Sequence, residues 1–193
     1  MRCPISSVRL LALAAIALTT VSASCAPAGP TRALRAHALP AYAGREAALF
    51  DDGIDPQAVG YNLDPGVAPR EDSLLRERTL LGDRVVRAQV VSITSTRNDS
   101  GRTWQIGLHT LERLAGEGGG DPEFTLRMNG SAPGASVMRT FDGRLIGIPL
   151  MAFIREFEPT GGAGRSELHF HLASQDKDEV DAVRVAALSG DAR

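Results

Sequence analysis

Three side chains that can ligate a metal ion or exchange a proton lie two residues apart in the segment ELHFH. Successive side chains of a β-strand point to opposite faces, so in a strand Glu167, His169 and His171 share one face. Two imidazoles and a carboxylate on one face can reach a single ion, and zinc or another transition metal accepts these ligands. His109, at an outward-facing position of another strand, could approach them if the two strands are neighbours. One interpretation of this pattern is a metal-binding protein or a metal-dependent enzyme.

A second interpretation of the same segment involves no metal. A half-buried strand turns its polar residues to water and its apolar residues to the core, and Leu168, Phe170 and Leu172 alternate with the three polar residues. The alternation alone accounts for the pattern, and no further ligand or supporting residue is evident beside it. We therefore favour a solvent-facing strand and keep the metal site as the alternative.

Other short patterns indicate no catalytic residue. The acidic stretch DDGID, residues 51–55, does not match a calcium-binding loop, which needs a glycine at its sixth position and a glutamate at its twelfth, so we predict an acidic turn that ends at Pro56. Ser136 and Ser166 stand in the fragments GAS and GRS, but neither completes the G-x-S-x-G motif of a nucleophilic serine. The glycines of residues 116–121 lack the following lysine and hydroxyl residue of a phosphate-binding loop.

The charge balance argues against nucleic acid as a partner. The 193 residues carry 21 basic and 23 acidic side chains, for a formal net charge of −2. A general nucleic-acid binder needs a basic face that releases counterions from phosphates. Aromatic residues make up 5% of the chain, and Trp104, Phe124 and Phe170 fall on predicted core positions. A surface on which bases stack is therefore not predicted.

Residues 1–24 have the pattern of a secretory signal peptide. Arg2 and Arg9 supply its positive start, Leu10–Leu18 is a continuous apolar run, and small residues follow. The run is shorter than the about 20 apolar residues that a membrane-spanning helix needs. We expect this segment to direct export and then to be removed.

Two ways of removing this peptide differ in what they do with Cys25. Cleavage before Ser24 would give a soluble periplasmic or secreted protein with an unpaired thiol, because Cys3, the other cysteine, is lost with the signal. The stretch VSASC resembles the lipobox of bacterial lipoproteins, apart from Ser22 where that family usually has leucine. The resemblance implies that Cys25 carries diacylglycerol and becomes the N-terminus, which makes the lipid bilayer a partner. In that family, Ala26 after the cysteine suggests the outer membrane.

Three segments follow the signal peptide. Residues 25–43 contain the lipidated cysteine and are rich in alanine and proline, so they are predicted to form a tether. Residues 44–82 are predicted to be a poorly structured N-terminal extension with short helices at REAALF and REDSLLRERTLL. Residues 83–193 are predicted to form a β domain with a C-terminal helix.

Alternation of apolar and polar residues predicts five strands in this domain. They lie at residues 85–94, 103–109, 124–129, 144–158 and 166–173. The first changes parity at Val90 and Val91, which a β-bulge would reconcile. The fourth is apolar on both parities, so we predict burial on both faces, with a bulge or an edge at Pro149. A helix from Asp176 to Gly190 ends the domain.

These elements predict a mainly β fold, a small five-stranded barrel or sandwich with a C-terminal helix. In outline the pattern resembles an OB-type barrel, similar to the netrin-like modules of secreted proteins. The resemblance covers residues 83–173 and includes no sequence motif. The chain lacks the cysteines of the extracellular versions, and it lacks the usual helix between the third and fourth strands unless PGASVMRT forms a turn of one.

The expected function is that of a non-enzymatic envelope lipoprotein. Its β domain would present loops or a strand edge to an unknown envelope protein or ligand, without a cofactor. The alternative is the metal-binding protein or metal-dependent enzyme centred on Glu167, His169 and His171.

Overall fold

The structure, a computed structural model of the chain, describes residues 38–61, 67–99, 101–117, 120–161 and 164–190. The predicted signal peptide, Cys25 and tether residues 26–37 lie outside these ranges. Residues Ala38–Arg193 form one compact unit. Among the helices of the described ranges, none has the length and apolar character needed to cross a membrane.

The fold is mainly β and is built on one curled, mixed sheet. Its six strands are β1 Gly53–Ile54, β2 Arg84–Asn98, β3 Gly101–Ala115, β4 Glu123–Asn129, β5 Pro149–Phe157 and β6 Glu167–Ala173. They are ordered β1-β6-β5-β2-β3-β4, with β1 parallel to β6 and the other neighbours antiparallel. Because β5 returns to lie beside β2, strands β2 to β5 have the Greek-key order. The predicted count of five strands was wrong, because the two residues of β1 are too few to show alternation.

Details of the central strands agree with their sequence pattern. The pairing of β2 with β3 shifts register between Val90 and Ser92, which confirms the predicted bulge. Pro149 is the first residue of β5, a position where the missing N–H costs little. Successive residues of β5 belong to alternate cores, so this strand is buried on both faces as predicted.

The helices are α1 Gly44–Leu49, α2 Ser73–Leu81, α3 Ala135–Leu145 and α4 Lys177–Gly190. The predicted C-terminal helix is confirmed by α4. Helix α3 was expected only as a single turn, and its last residues were assigned to a strand. It forms because Met138 and Leu145 are buried on one face, and Gly147, with a φ of 84°, provides the left-handed turn that follows the helix.

Apolar side chains pack on both faces of the sheet. Helix α3 covers one core, and α1, α2 and α4 contribute to the other. Leu49, Phe50 and Leu75, which belong to the predicted extension, are buried in the second core. Residues of the segment 44–82 are therefore part of the folded unit.

Candidate functional site

Strand β1 brings the acidic stretch onto the histidine strand. It pairs with β6 and places Gly53 opposite His171. Asp55 N continues the pairing by donating to Leu172 O at 2.8 Å. A Cβ at residue 53 would lie 2.5 Å from Asp51 Oδ1 and 2.9 Å from His171 Nδ1, so the close approach requires glycine. Asp51 and Asp55 thereby flank the imidazole ring.

Both ring nitrogens of His171 meet a carboxylate. Nδ1 lies 3.0 Å from Asp51 Oδ1, Nε2 lies 3.0 Å from Asp55 Oδ1, and the residue is 5% exposed. Burial, the largest single effect, disfavours the charge, but the two hydrogen bonds outweigh it and raise the pKa of His171. Burial likewise opposes ionisation of Asp51, yet bonding to His171 and the charge of Arg78 lower its pKa. When His171 is protonated, its two ring N–H groups each donate to a carboxylate.

His169, on the same face, has different partners. Its Nδ1 lies 3.1 Å from Asp52 Oδ2, and its ring stacks on Tyr42 with centroids 3.5 Å apart. Burial raises the pKa of Asp52 despite this contact, and Asp52 also accepts a bond from Phe170 N at 3.2 Å. Burial and the neighbouring aspartates raise the pKa of Tyr42 to about 12, and its neutral hydroxyl donates to Phe50 O at 3.1 Å.

Glu167 lies at the exposed end of this face. Its carboxylate accepts bonds from Thr160 Oγ1 at 2.9 Å and Thr160 N at 3.2 Å, and these bonds lower its pKa. Its Oε2 is 3.7 Å from Nε2 of His169. That nitrogen is buried and has no hydrogen-bond partner among the described residues.

The three predicted residues share one face of β6, as the alternation predicts, but that face is covered. His171 is buried and the side chain of His169 is 14% exposed, because residues 42–55 lie over them. The expectation of a solvent-facing strand was therefore wrong for both histidines. Leu168, expected in the core, is 46% exposed instead.

His109 does not join this cluster. Strands β5 and β2 separate β6 from β3, a distance of about 14 Å at about 4.8 Å per strand. His109 instead lies opposite Gln89, with Nδ1 3.9 Å from Glu123 Oε1.

The contacts of these histidines tie the acidic segment to the sheet. We use the name histidine clamp for the cluster of Asp51, Asp52, Asp55, His169 and His171. Within the described ranges, no three or more His, Cys, Asp or Glu side chains are placed to hold a metal ion together. The metal site on Glu167, His169 and His171 stays a prediction, which metal analysis of the purified protein tests.

A second candidate site, which the sequence analysis missed, is a cleft beside β4 at the other edge of the sheet. Its volume is about 910 Å³. We use the name arginine cleft for the site lined by Arg97, Gly101, Arg102, Thr103, Trp104, Arg127, Asn129, Gly130, Ser131 and Arg139. None of these ten residues is acidic, so the described lining of the cleft presents only cationic and neutral groups.

Four separate elements supply the arginines. Arg97 and Arg102 face each other across the end of the β2–β3 hairpin, and Arg127 lies on β4. Arg139 lies on α3, and its Nη1 donates to Gly130 O at 3.4 Å. The turn residues between Arg97 and Arg102 were a usable signal for the first pair. No local pattern predicts that β4 and α3 complete the cleft.

Comparisons with known proteins assign this chain to no family. No family model matches it, and no curated protein matches it.

Proposed function

We propose that the chain is an exported lipoprotein of the cell envelope, anchored in the outer membrane through acylated Cys25, with a β domain that acts as a non-enzymatic binding module. The observation that carries the proposal is the position of this cysteine. After loss of residues 1–24 it is the only cysteine left, and it follows the lipobox-like residues VSAS. Acylation removes a thiol that would otherwise be unpaired in an oxidising compartment. Several acyl chains, at about 0.8 kcal/mol per buried methylene, anchor a protein durably.

The histidine clamp supports a binding role over catalysis. A catalytic histidine needs a nitrogen within hydrogen-bond reach of the substrate. Both nitrogens of His171 contact carboxylates, and the unpartnered Nε2 of His169 is buried. The imidazoles of the clamp thus serve the fold.

For the architecture, we propose an OB-like barrel that is left partly open. The Greek-key order of β2 to β5 supports it, as does the position of α3 between β4 and β5. Residues of β4 and β6 also come into contact, as the closing strands of such a barrel would.

Mass spectrometry of the natural protein tests the anchor. The expected N-terminus is Cys25 with the added mass of diacylglycerol, recovered in the membrane fraction. Cys25→Ala is expected to abolish that modification, whereas Cys3→Ala, the matched control, leaves it unchanged. An unmodified N-terminal Ser24 in the aqueous fraction would overturn the proposal.

A further inference from the structure

We propose that the arginine cleft binds a phosphate-bearing anion, either the headgroup of a phospholipid or a soluble phosphate ester. The proposal goes beyond membrane anchoring and does not depend on acylation of Cys25. It is carried by the charges, the unused hydrogen-bond donors and the shape of the cleft.

The arginine cleft has no counter-charge among its described lining residues. None of the four cleft arginines forms an ion pair within the described part of the chain, and no carboxylate lines the cleft. Some arginines elsewhere are paired, as Arg155 is at 3.2 Å from Glu46 and Arg87 at 3.0 Å from Glu112, whereas others, such as Arg76 and Arg113, form no ion pair among the described residues. Four like charges around one cavity raise its electrostatic potential, which attracts anions and is relieved when one binds.

The arginines also supply the cleft with hydrogen-bond donors. Each guanidinium presents a planar fork of N–H groups that matches the oxygens of phosphate. The guanidinium of Arg102 lies 5.7 Å from the centroid of the Trp104 ring, an orienting cation–π contact. Ser131 and Asn129 add neutral polar groups to the lining.

The walls of the cleft are closely packed. A Cβ on Gly130 would lie 2.6 Å from Arg102 O, so the turn after β4 packs directly against β3. The bond from Arg139 to Gly130 O ties α3 to the same turn. A volume of about 910 Å³ falls within the range of about 300–1,000 Å³ found for small-ligand sites.

The number of cations favours phosphate over other anions. A phosphate monoester carries about −1.5 to −2 charges near neutral pH and three acceptor oxygens. A single carboxylate would leave most of the four arginines without a counter-charge. Nucleic acid is disfavoured, because base stacking needs an accessible aromatic face and Trp104 is fully buried.

The single tryptophan makes binding observable, because Trp104 lines the cleft. The full chain in a non-ionic detergent is titrated with pyrophosphate and, separately, with dihexanoyl phosphatidic acid. Dihexanoyl phosphatidylcholine serves as the zwitterionic control. A saturable fluorescence change with the anionic probes is expected, weakened by added NaCl. Calorimetry repeats the titration without relying on the tryptophan signal.

Substitutions assign the binding to the cleft. Arg102→Gln together with Arg127→Gln is expected to weaken binding at least about tenfold, since charge-assisted bonds are lost. Arg139→Gln, on a separate element, is expected to weaken it also. Arg76→Gln, at an exposed position on α2, is the matched control and is expected to change nothing.

The two probes distinguish the sources of phosphate. Tighter binding of phosphatidic acid supports a lipid headgroup, and tighter binding of pyrophosphate supports a soluble phosphate ester. The proposal is overturned if neither probe saturates, if the double variant binds as well as the parent protein, or if an oligothymidylate binds more tightly than both probes. None of these results bears on the modification of Cys25, so the two proposals fail separately.

Discussion

Charged side chains at the two edges of the sheet differ in their burial and in their partners. Near β1, the imidazole of His171 is buried and lies 3.0 Å from a carboxylate oxygen at each ring nitrogen. Near β4, four arginines surround a cavity and meet no carboxylate in the described part of the chain. Burial makes an unpaired charge costly, so a buried charge needs partners from the fold. The four exposed arginines escape this cost, and their N–H donors stay available to a ligand.

Removal of His171 from the histidine clamp is expected to lower the free energy of unfolding most. His171→Ala should lower the free energy of unfolding by about 3 kcal/mol, because Asp51 and Asp55 lose the cation that offsets their partial burial. Urea unfolding followed by circular dichroism measures the loss. His109→Ala, whose ring is 43% exposed, is the matched control and should change stability by less than about 0.5 kcal/mol. Equal losses in the two variants would show that the clamp contributes no more than a surface histidine does.

The pH dependence of stability is the next largest effect. The pKa of His171 is raised in the folded state above its ordinary value of 6.5, so folding holds a proton that the unfolded chain releases. Its contribution is fully present below pH 6.5 and is lost as the pH rises through the folded pKa, with a slope of at most about 1.4 kcal/mol per pH unit. Unfolding free energies measured from pH 5 to 9 should fall above pH 6.5, and His171→Ala should remove that fall.

Glu179 on α4 affects stability over a lower pH range than His171 does. It therefore serves as the comparison for the measurements from pH 5 to 9. Burial, followed by the charges of nearby aspartates, raises its pKa from 4.5 to about 7. Its ionised form is therefore destabilising, and stability declines from pH 4.5 to about pH 7. Glu179→Gln should flatten that decline and preserve the fall above it. A fall above pH 7 that persists in His171→Ala would show that His171 is not its source.

Local patterns predicted parts of the histidine clamp and of the sheet, but not how the clamp is assembled, and they missed the arginine cleft. The alternation along β6 placed His169 and His171 on one face, and the parity change at Val90 predicted the bulge in β2. The partner of His171 could not be found in this way, because Asp51 is 120 residues away and β1 is two residues long. The sequence does show that the acidic segment and the histidine strand can carry opposite charges. No periodicity, however, predicts which segments pair across such a separation.

A substitution in the arginine cleft is expected to have the smallest effect on stability. Its size distinguishes most directly between the two edges of the sheet. Arg102→Gln removes an exposed cation that lies near three like charges, so relief of repulsion offsets the loss of its contact with Trp104, which is worth about 0.5–1 kcal/mol. The free energy of unfolding should change by less than about 1 kcal/mol, measured by urea unfolding alongside His171→Ala. A loss as large as that of His171→Ala would make Arg102 part of the fold's own network. A group that contributes little to folding and still carries an uncompensated charge is, by contrast, available to a ligand.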